Sequence, residues 1–334
     1  MVTPTALATV KDYVDAGGLP TYYQAEGTGD PLVMLHGGFA TVDTFGGFTP
    51  LFTNRYRVFS PERRGHGRMP DVPGPITYEI MADDTTAFID ALGIGPVDIV
   101  GWSDGGNVAM ITAIRRPDLI RKLVVIGTAV NIGGGTPFAQ AMTEHMTVEH
   151  LPPMLIDAYA ALSPDGRDHF PVVFDKLSRA IIDTPAQLSD LARIPAPTLI
   201  MAGDDDLVSI GHLEAMRDTI PEAQLAVVPG TSHGLPLEKP ELTARLILDF
   251  LADDQAPKIM PTAPPKVNRP AVPRTHLSRL SRSRYRSPRS TDVEGSTDAT
   301  VALFSLGSSR SAAGCGTDDP DPRSDELKLH CRAA

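Results

Sequence analysis

The chain has 334 residues, 42% of them hydrophobic, and a formal net charge of −11. This composition is typical of a soluble protein with a full core and excludes a chain that is disordered throughout. We find no run near the roughly 18 apolar residues of a membrane span and no secretory signal, so we expect a cytoplasmic protein that does not act at membranes. The acidic body of the chain also disfavours nucleic-acid phosphates as partners.

The only two cysteines are Cys315 and Cys331. The first 314 residues therefore cannot hold a disulfide, a thiolate metal cluster or a cysteine nucleophile. In a reducing compartment we expect both cysteines to be free thiols.

Up to residue 254 the chain alternates short apolar runs with longer amphipathic ones, which is typical of an α/β sheet flanked by helices. Several of the runs are apolar without alternation, as parallel strands buried on both faces require. The predicted strands are, in chain order, Thr21–Gln24, Leu32–Leu35, Tyr56–Phe59, Val97–Val100, Leu123–Ile126, Thr198–Ala202 and Gln224–Val228. Helices are predicted at Tyr78–Leu92, at Asn107–Arg115 and at Pro240–Leu251, the last with Leu242, Leu246, Ile247 and Phe250 turned inward.

The fourth predicted strand leads into Gly101–Gly105, a Gly-Trp-Ser-Asp-Gly sequence, and a helix follows it. This is the strand–turn–helix context of a nucleophile elbow, in which small neighbours accommodate a strained serine. The helix also points its positive end at the place where an oxyanion would form. The pattern predicts Ser103 as the nucleophile.

The same motif predicts an oxyanion hole and part of a pocket. We expect the backbone amide of Asp104 to be one donor, and Gly38 or Phe39 of the upstream His-Gly-Gly-Phe sequence to supply the other. We place Trp102 and Asp104 tentatively in the substrate pocket. The Asp104 carboxylate would there pair with a substrate amine, or it would only cap the start of the helix.

Residues 131–189 interrupt the alternation of strands and helices with methionines, phenylalanines and helical fragments. We interpret this segment as an inserted helical subdomain. Some of its Met and Phe side chains would face a pocket if it covers an active site.

A base and an acid are expected after the last two predicted strands, where open α/β sheets place their chemistry. His233 lies in the loop between the last strand and the last helix, which distinguishes it from the other eight histidines. Three carboxylates, Asp204 to Asp206, follow the preceding strand. One of them would orient an imidazole, while a calcium or magnesium site is the rival interpretation.

Together these motifs resemble the α/β-hydrolase superfamily over roughly residues 15–254, with Arg64–Gly67 as a further match. The resemblance implies a mostly parallel, eight-stranded sheet flanked by helices, with a helical lid at 131–189. It also implies that Asp206 is the acid of the triad, because that acid stands last in a Gly-x-x-Asp pattern. The elbow is most similar to those of valacyclovir hydrolase-type esterases and enol-lactone hydrolases.

We therefore expect a serine hydrolase without cofactor or metal that cleaves a small carboxylic ester or lactone through an acyl-enzyme, with the triad Ser103, His233 and Asp206. Three alternatives use the same triad for thioester, perhydrolase or C–C bond hydrolysis. A further alternative is a non-catalytic binding protein of this fold.

The composition changes after residue 254. Residues 255–334 are rich in Pro, Ser and Arg without periodicity, and we expect them to be largely disordered. The basic run at 258–289 is a candidate for an anionic partner, although a neutral, solvated extension is the simpler interpretation.

Overall fold

The computed structural model describes residues 9–252 and 259–260, and an eight-stranded sheet forms the centre of this part. The strands lie in the order β1-β2-β4-β3-β5-β6-β7-β8. The pairs β1–β2 and β2–β4 are antiparallel, and every pair from β4 to β8 is parallel. Their bounds are β1 Val10–Ala16, β2 Leu19–Gly27, β3 Asp30–Leu35, β4 Tyr56–Pro61, β5 Val97–Trp102, β6 Ile120–Ile126, β7 Thr198–Asp205 and β8 Ala223–Ser232.

Helices cover both faces of the sheet. They are α1 Tyr78–Leu92, α2 Asp104–Arg115, α3 Pro137–Glu144, α4 Pro153–Leu162, α5 Phe170–Ile182, α6 Ile210–Thr219, α7 Leu235–Glu238 and α8 Pro240–Leu251. The mostly parallel, helix-flanked sheet predicted from the sequence is thus confirmed.

The central strands are apolar without alternation because successive side chains serve two cores. In β3, Val33 packs with α1 and α2 on one face, while Met34 packs with α8 on the other, and neither is exposed. A parallel strand between two helical layers has no solvent face, so a polar residue there would lose its hydration without a partner.

The predicted bounds of two helices are right, but the predicted orientation of one side chain is wrong. The bounds of α1 and α8 are those expected, and α1 begins with the Thr77 side chain accepting a hydrogen bond from the Ile80 amide at 3.2 Å. The inward orientation expected for Leu242 is wrong, since this side chain is 45% exposed. The buried stripe of α8 is centred on Thr243, Ile247 and Phe250, and Leu242 lies beside this stripe, about 100° around the helix from Thr243.

Strand β1 was not predicted. Six of its seven residues are exposed or only half-buried, and they form an antiparallel edge on β2. An edge strand of this kind carries no apolar run, so the pattern used for the other strands cannot detect it.

The connection between β6 and β7 contains α3, α4 and α5, together with short 3₁₀ turns. It is joined to the loop after β7 by an isolated antiparallel bridge between Gly135 and Val208. Its use as a lid stays a prediction, as does the domain boundary near residue 254.

Two further predictions depend on which residues the structure describes. Apart from residues 259–260, the tail from 255 to 334, with its basic run and both cysteines, lies outside them. Within them, no helix is long and apolar enough to cross a membrane.

Candidate active site

Ser103 stands in a strained turn between β5 and α2. Its φ of 55° and ψ of −122° place a non-glycine residue in a backbone region that side chains rarely adopt. The turn is held by the Ser103 amide, which donates to the Ile126 carbonyl at 2.8 Å, and by Thr128, whose hydroxyl donates to the Ser103 carbonyl at 3.1 Å. These bonds fix the hydroxyl of Ser103 at the carboxyl edge of the sheet.

The flanking glycines are required by space. A Cβ atom at Gly101 would collide with the backbone oxygen of Gly105, and one at Gly105 with the backbone oxygen of Leu35. Backbone atoms cannot swing aside as flexible side chains do, so the elbow accepts no larger residue at either position without a shift of β3 or α2.

Ser103, His233 and Asp206 form one hydrogen-bonded series. The Ser103 Oγ lies 3.0 Å from His233 Nε2, and His233 Nδ1 lies 2.8 Å from Asp206 Oδ1. A buried carboxylate can only accept here, so Nδ1 carries the proton and Nε2 is left to accept the serine proton. The series is the arrangement that activates a serine in acyl transfer.

Of the three consecutive carboxylates, only Asp206 reaches the histidine. It is buried, and its oxygens also face the amides of Val208 and Gly203 at 3.3 and 3.4 Å. Asp204 points to the opposite side and accepts from the Thr231 amide at 3.2 Å. Among the described residues, no group of three His, Cys, Asp or Glu side chains is placed to hold a metal ion.

The loop that carries His233 is braced from two sides. The Trp102 indole N–H donates to the His233 carbonyl at 2.9 Å, and Glu238 accepts from both the amide and the hydroxyl of Ser232. Trp102 is not among the residues that line the cavity beside Ser103, and its tentative place in the substrate pocket stays a prediction. Its ring lies beneath Gly37 and against His233, because the elbow turns the strand's last side chain towards the neighbouring loops.

Three backbone amides near Ser103 have no protein acceptor within the described residues, namely those of Gly38, Phe39 and Asp104. Asp104 begins α2, so its N–H has no partner inside the helix. Gly38 and Phe39 belong to a turn closed by the Ala40 amide and the Gly37 carbonyl at 3.4 Å. Phe39 is held at a φ of 58°, the only other positive φ outside glycine in the described chain.

The Phe39 ring is covered by α5. It stacks on Phe174 with centroids 5.5 Å apart and meets the edge of Phe170 at 6.5 Å. Tyr159 of α4 completes this buried group against Phe170. Aromatic side chains thus fill the space on this side of the turn.

A cavity of about 160 Å³ opens beside Ser103 and His233. Most of its wall is apolar and comes from α3 and the segments flanking it, from the end of α5 and from the loop after Asp206, through Ile132, Ala139, Met142, Met146, Ile181, Leu207 and Val208. Tyr78 and Asn107 also line it, and the sequence had marked neither as a site residue. The only sign at Tyr78 was its place at the start of a helix.

Asp104 is the acidic group of this wall. Its Oδ1 accepts from the Tyr78 hydroxyl at 2.8 Å, while Oδ2 is buried and has no hydrogen-bond partner among the described residues. Burial raises the pKa of Asp104, against the opposing effects of Arg63, of the Tyr78 hydrogen bond and of His233. Burial also raises the pKa of Tyr78 well above its usual value.

Known hydrolases are similar to this chain in sequence. The model of the Alpha/beta hydrolase family matches residues 32–246. A 2-hydroxymuconate semialdehyde hydrolase of Pseudomonas sp. (strain CF600) is 27% identical over 268 residues, covering 73% of this chain and 94% of the relative. An sn-1-specific diacylglycerol lipase of Mus musculus is 27% identical over 274 residues, covering 72% and 88%.

Among solved structures, a meta-cleavage product hydrolase from Pseudomonas fluorescens superposes with a TM-score of 0.63 at 23% identity, covering 73% of this chain and 98% of that one. At this identity the superposition shows a shared fold. With the family match, which spans most of the described residues, it leads to one conclusion: the chain belongs to the alpha/beta hydrolase family and is a hydrolase.

Proposed function

We propose that this protein hydrolyses small carboxylic esters or lactones without a cofactor. The observation that carries the proposal is the series Ser103–His233–Asp206, with both hydrogen bonds at 3.0 Å or less and the serine held in a strained turn. Structural serine–histidine contacts do not need that strain, and an activated serine presented to the cavity explains it.

The proposed reaction has two halves. Ser103 Oγ attacks the acyl carbon while His233 Nε2 takes its proton, and the negative charge moves to the former carbonyl oxygen. The leaving alkoxide takes that proton from His233, and the acyl group stays on Ser103. Water then repeats the sequence, losing its proton to His233 and releasing the carboxylic acid and the free serine.

The groups around Ser103 fit this charge movement. Asp206 would stabilise the imidazolium form of His233 and keep its Nδ1 protonated. The amides of Asp104 and of Gly38 or Phe39 would bind the oxyanion, since they are unpaired and flank the serine. The partner in this proposal is the small-molecule substrate alone, and a cytoplasmic location stays a prediction of the sequence.

The cavity wall favours one subclass of ester. The Asp104 carboxylate would pair with an ammonium group on the acyl part once a side-chain rotation brings its buried, unpartnered Oδ2 to the cavity, while the apolar wall would hold a side chain of moderate size. This supports the sequence hypothesis of an amine partner over a capping role alone, because Asp104 is one of the residues that line the cavity. An amino-acid ester presents both groups.

C–C bond hydrolysis is the second candidate, favoured by relatives whose names include a hexa-2,4-dienoic acid hydrolase. A dienoic acid would bring a carboxylate into a wall that contains Asp104 and, among its lining residues, no Lys or Arg. Two like charges in a space of this size repel each other, so esters fit this wall better. Thioester and perhydrolase chemistry would need the same triad.

The test is a panel of plain acyl esters, amino-acid esters, lactones, thioesters and a dienoic acid. We expect ester or lactone turnover, and a loss of kcat of about a million-fold in Ser103→Ala. Ser163→Ala, in the exposed turn after α4, serves as the matched control and should keep full activity. Turnover that survives Ser103→Ala would refute the proposal, and a folded wild type that no fluorophosphonate labels would favour a binding protein.

Asp104→Asn tests the amine preference, because it removes the charge and keeps the backbone amide. We expect kcat/KM to fall at least tenfold for amino-acid esters and to change little for plain esters of the same size. Equal losses for both classes would discard the amine subsite and leave the esterase proposal standing.

A further inference from the structure

Arg63 is a buried cation directly after β4. Only 4% of it is exposed, and no carboxylate in the described chain lies within ion-pair distance of it. Its Nε has no hydrogen-bond partner, and its Nη1 has only the Met81 sulfur at 3.8 Å. Burying a charge with so few partners is costly, so the hydrogen bonds of the remaining nitrogen, Nη2, must offset that cost.

That nitrogen, Nη2, holds the chain that enters the oxyanion turn. It donates to the His36 carbonyl at 2.6 Å and to the Gly37 carbonyl at 2.8 Å. Hydrogen bonds from a charged donor are among the stronger ones in proteins. Arg63 therefore fixes two successive peptide planes immediately before Gly38 and Phe39.

The Gly37 carbonyl is the centre of this arrangement. Besides the Arg63 bond, it accepts from His36 Nδ1 at 2.8 Å and from the Ala40 amide at 3.4 Å, which closes the turn. A shift of this carbonyl would rotate the turn. The unpaired amides of Gly38 and Phe39, which belong to this turn, would then move with it.

Arg63 also sets the tautomer of His36. The Arg63 amide can only donate, and it faces Nε2 at 3.4 Å, so Nε2 accepts and Nδ1 carries the proton that it donates to the Gly37 carbonyl. Burial and the neighbouring Arg63 charge lower the pKa of His36 well below its usual value. The His36 imidazole is thus neutral and does not add a second positive charge beside Arg63.

The charge of Arg63 also acts on the side chain of Asp104, the residue that supplies the second oxyanion donor. Burial raises the pKa of Asp104, and the Arg63 charge is the largest effect opposing that rise. Asp104 in turn supplies an unpaired amide at the start of α2. A buried positive charge close enough to act on Asp104 also favours negative charge on an oxygen that the Asp104 amide binds.

We propose that Arg63 is the positioning residue of the oxyanion hole. It holds the His36 and Gly37 carbonyls so that the Gly38 and Phe39 amides meet the acyl oxygen, and its charge stabilises that oxygen when it becomes negative. The inference rests on the proposed esterase function, and it assigns a role in that reaction to a residue outside the triad.

Arg63→Met and Arg63→Lys test this role on the best ester of the panel. In Arg63→Met we expect kcat to fall about 100-fold, which is the effect of losing one oxyanion donor, with KM within about threefold. Arg63→Lys keeps the charge and part of the bonding, so we expect a loss of about tenfold. A trifluoromethyl ketone, whose serine adduct places an oxyanion in the hole, should weaken by the same factor as kcat/KM.

Arg64→Met is the matched control. It removes the neighbouring arginine, which pairs with Asp84 through two nitrogens at 2.6 Å and does not touch the turn. We expect it to lower thermal stability and leave kcat within about twofold. A merely structural Arg63 would behave in the same way.

The outcomes separate the two proposals. Ser103-dependent turnover at the full kcat in the Arg63 variants, with unchanged ketone affinity, would overturn this inference alone. A wild type without Ser103-dependent turnover would overturn the proposed function and this inference with it. If Arg63→Met does not fold, Arg63→Lys decides, and wild-type kcat in that variant refutes the role.

Discussion

An ion cluster around Asp71 ties α5 to the core. Asp71 lies in the loop between β4 and α1, and both of its carboxylate oxygens accept from Lys176 Nζ, at 2.7 and 2.8 Å. His169 Nε2 lies 2.9 Å from the same carboxylate, and Lys176 also donates to the Val72 carbonyl. Because α5 supplies Ile181 to the cavity wall, this cluster helps to position that part of the wall.

Asp71→Asn should reveal how much the cluster contributes. The side chains of Asp71 and Lys176 are 9% and 22% exposed. The stabilisation from their hydrogen bonds should therefore lie between that of an exposed ion pair, about 0–1 kcal/mol, and that of a buried charged hydrogen bond, about 1.5–3 kcal/mol. We expect the free energy of unfolding at pH 7 to fall by about 2 kcal/mol. For a domain of this size that is a shift in Tm of roughly 4–8 °C.

The pH dependence of this loss follows from the sign of the pKa shift. Burial acts to raise the pKa of Asp71, but the hydrogen bonds from Lys176 and His169 outweigh it and the pKa is lowered. A lowered carboxyl pKa stabilises the folded state above the unfolded pKa of about 3.9, and this contribution disappears as the pH falls through the folded value. The difference between Asp71→Asn and wild type should therefore be full at pH 7 and shrink below about pH 4.

The assay is urea unfolding of Asp71→Asn, Lys176→Gln and the double variant. The coupling energy of this cycle should be about 1–2 kcal/mol. The control cycle uses Asp157 and Arg167, an ion pair in the same insertion whose side chains are 63% and 59% exposed, where we expect well under 1 kcal/mol. An Asp71–Lys176 coupling no larger than that of the control would refute the reasoning.

Three further predictions concern the elbow, a buried histidine and the loop of the proposed base. Gly105→Ala should unfold at a lower urea concentration, because its methyl group would meet backbone oxygens at the end of β3. Gly211→Ala, in open space on α6, should instead raise the free energy of unfolding by about 0.5–1 kcal/mol, and equal urea midpoints for the two variants would contradict this. Burial lowers the pKa of His66 to about 3, so between about pH 6.5 and 3 the unfolded chain binds a proton that the native chain does not, and stability falls as the pH falls. His66→Asn should make that slope shallower by up to about 1.4 kcal/mol per pH unit, and urea unfolding from pH 7.5 to 5.5 with unchanged slopes would count against it. Trp102→Phe removes the indole bond to the His233 carbonyl and should lower kcat up to about tenfold in initial-rate assays, while an unchanged kcat would mean that the indole only packs.

The strands could be predicted from the sequence wherever burial on both faces demands an uninterrupted apolar run. This holds for β3 and for β5 to β7, whose buried residues alternate between the two cores. It fails for β1, which is an exposed edge and owes its place to pairing with β2. It also fails for Leu242, because one apolar residue at helical spacing does not reveal which side of α8 meets the sheet.

The proposed site could be predicted where a residue follows directly from a strand end. Ser103 and His233 meet that condition, and the structure brings both together with Asp206. The choice among three consecutive aspartates needed the family resemblance, since all three follow the same strand. Arg63 left no local signal, because its partners are the carbonyls of residues 26 and 27 positions earlier in the chain.

The connection between β6 and β7 has a consequence for how such a protein changes over time. In a parallel sheet each connection must return from the carboxyl edge of one strand to the amino edge of the next, and extra residues there leave the strand register intact. Here that connection supplies Met142, Met146 and Ile181 to the cavity, while the proposed reacting side chains, and Asp104 beside them, come from the elbow and from the loops after β7 and β8. Much of the apolar wall is therefore encoded apart from the proposed reacting groups, so grafting a relative's connection onto this sheet should change the size of the acyl group that is accepted and keep the reaction.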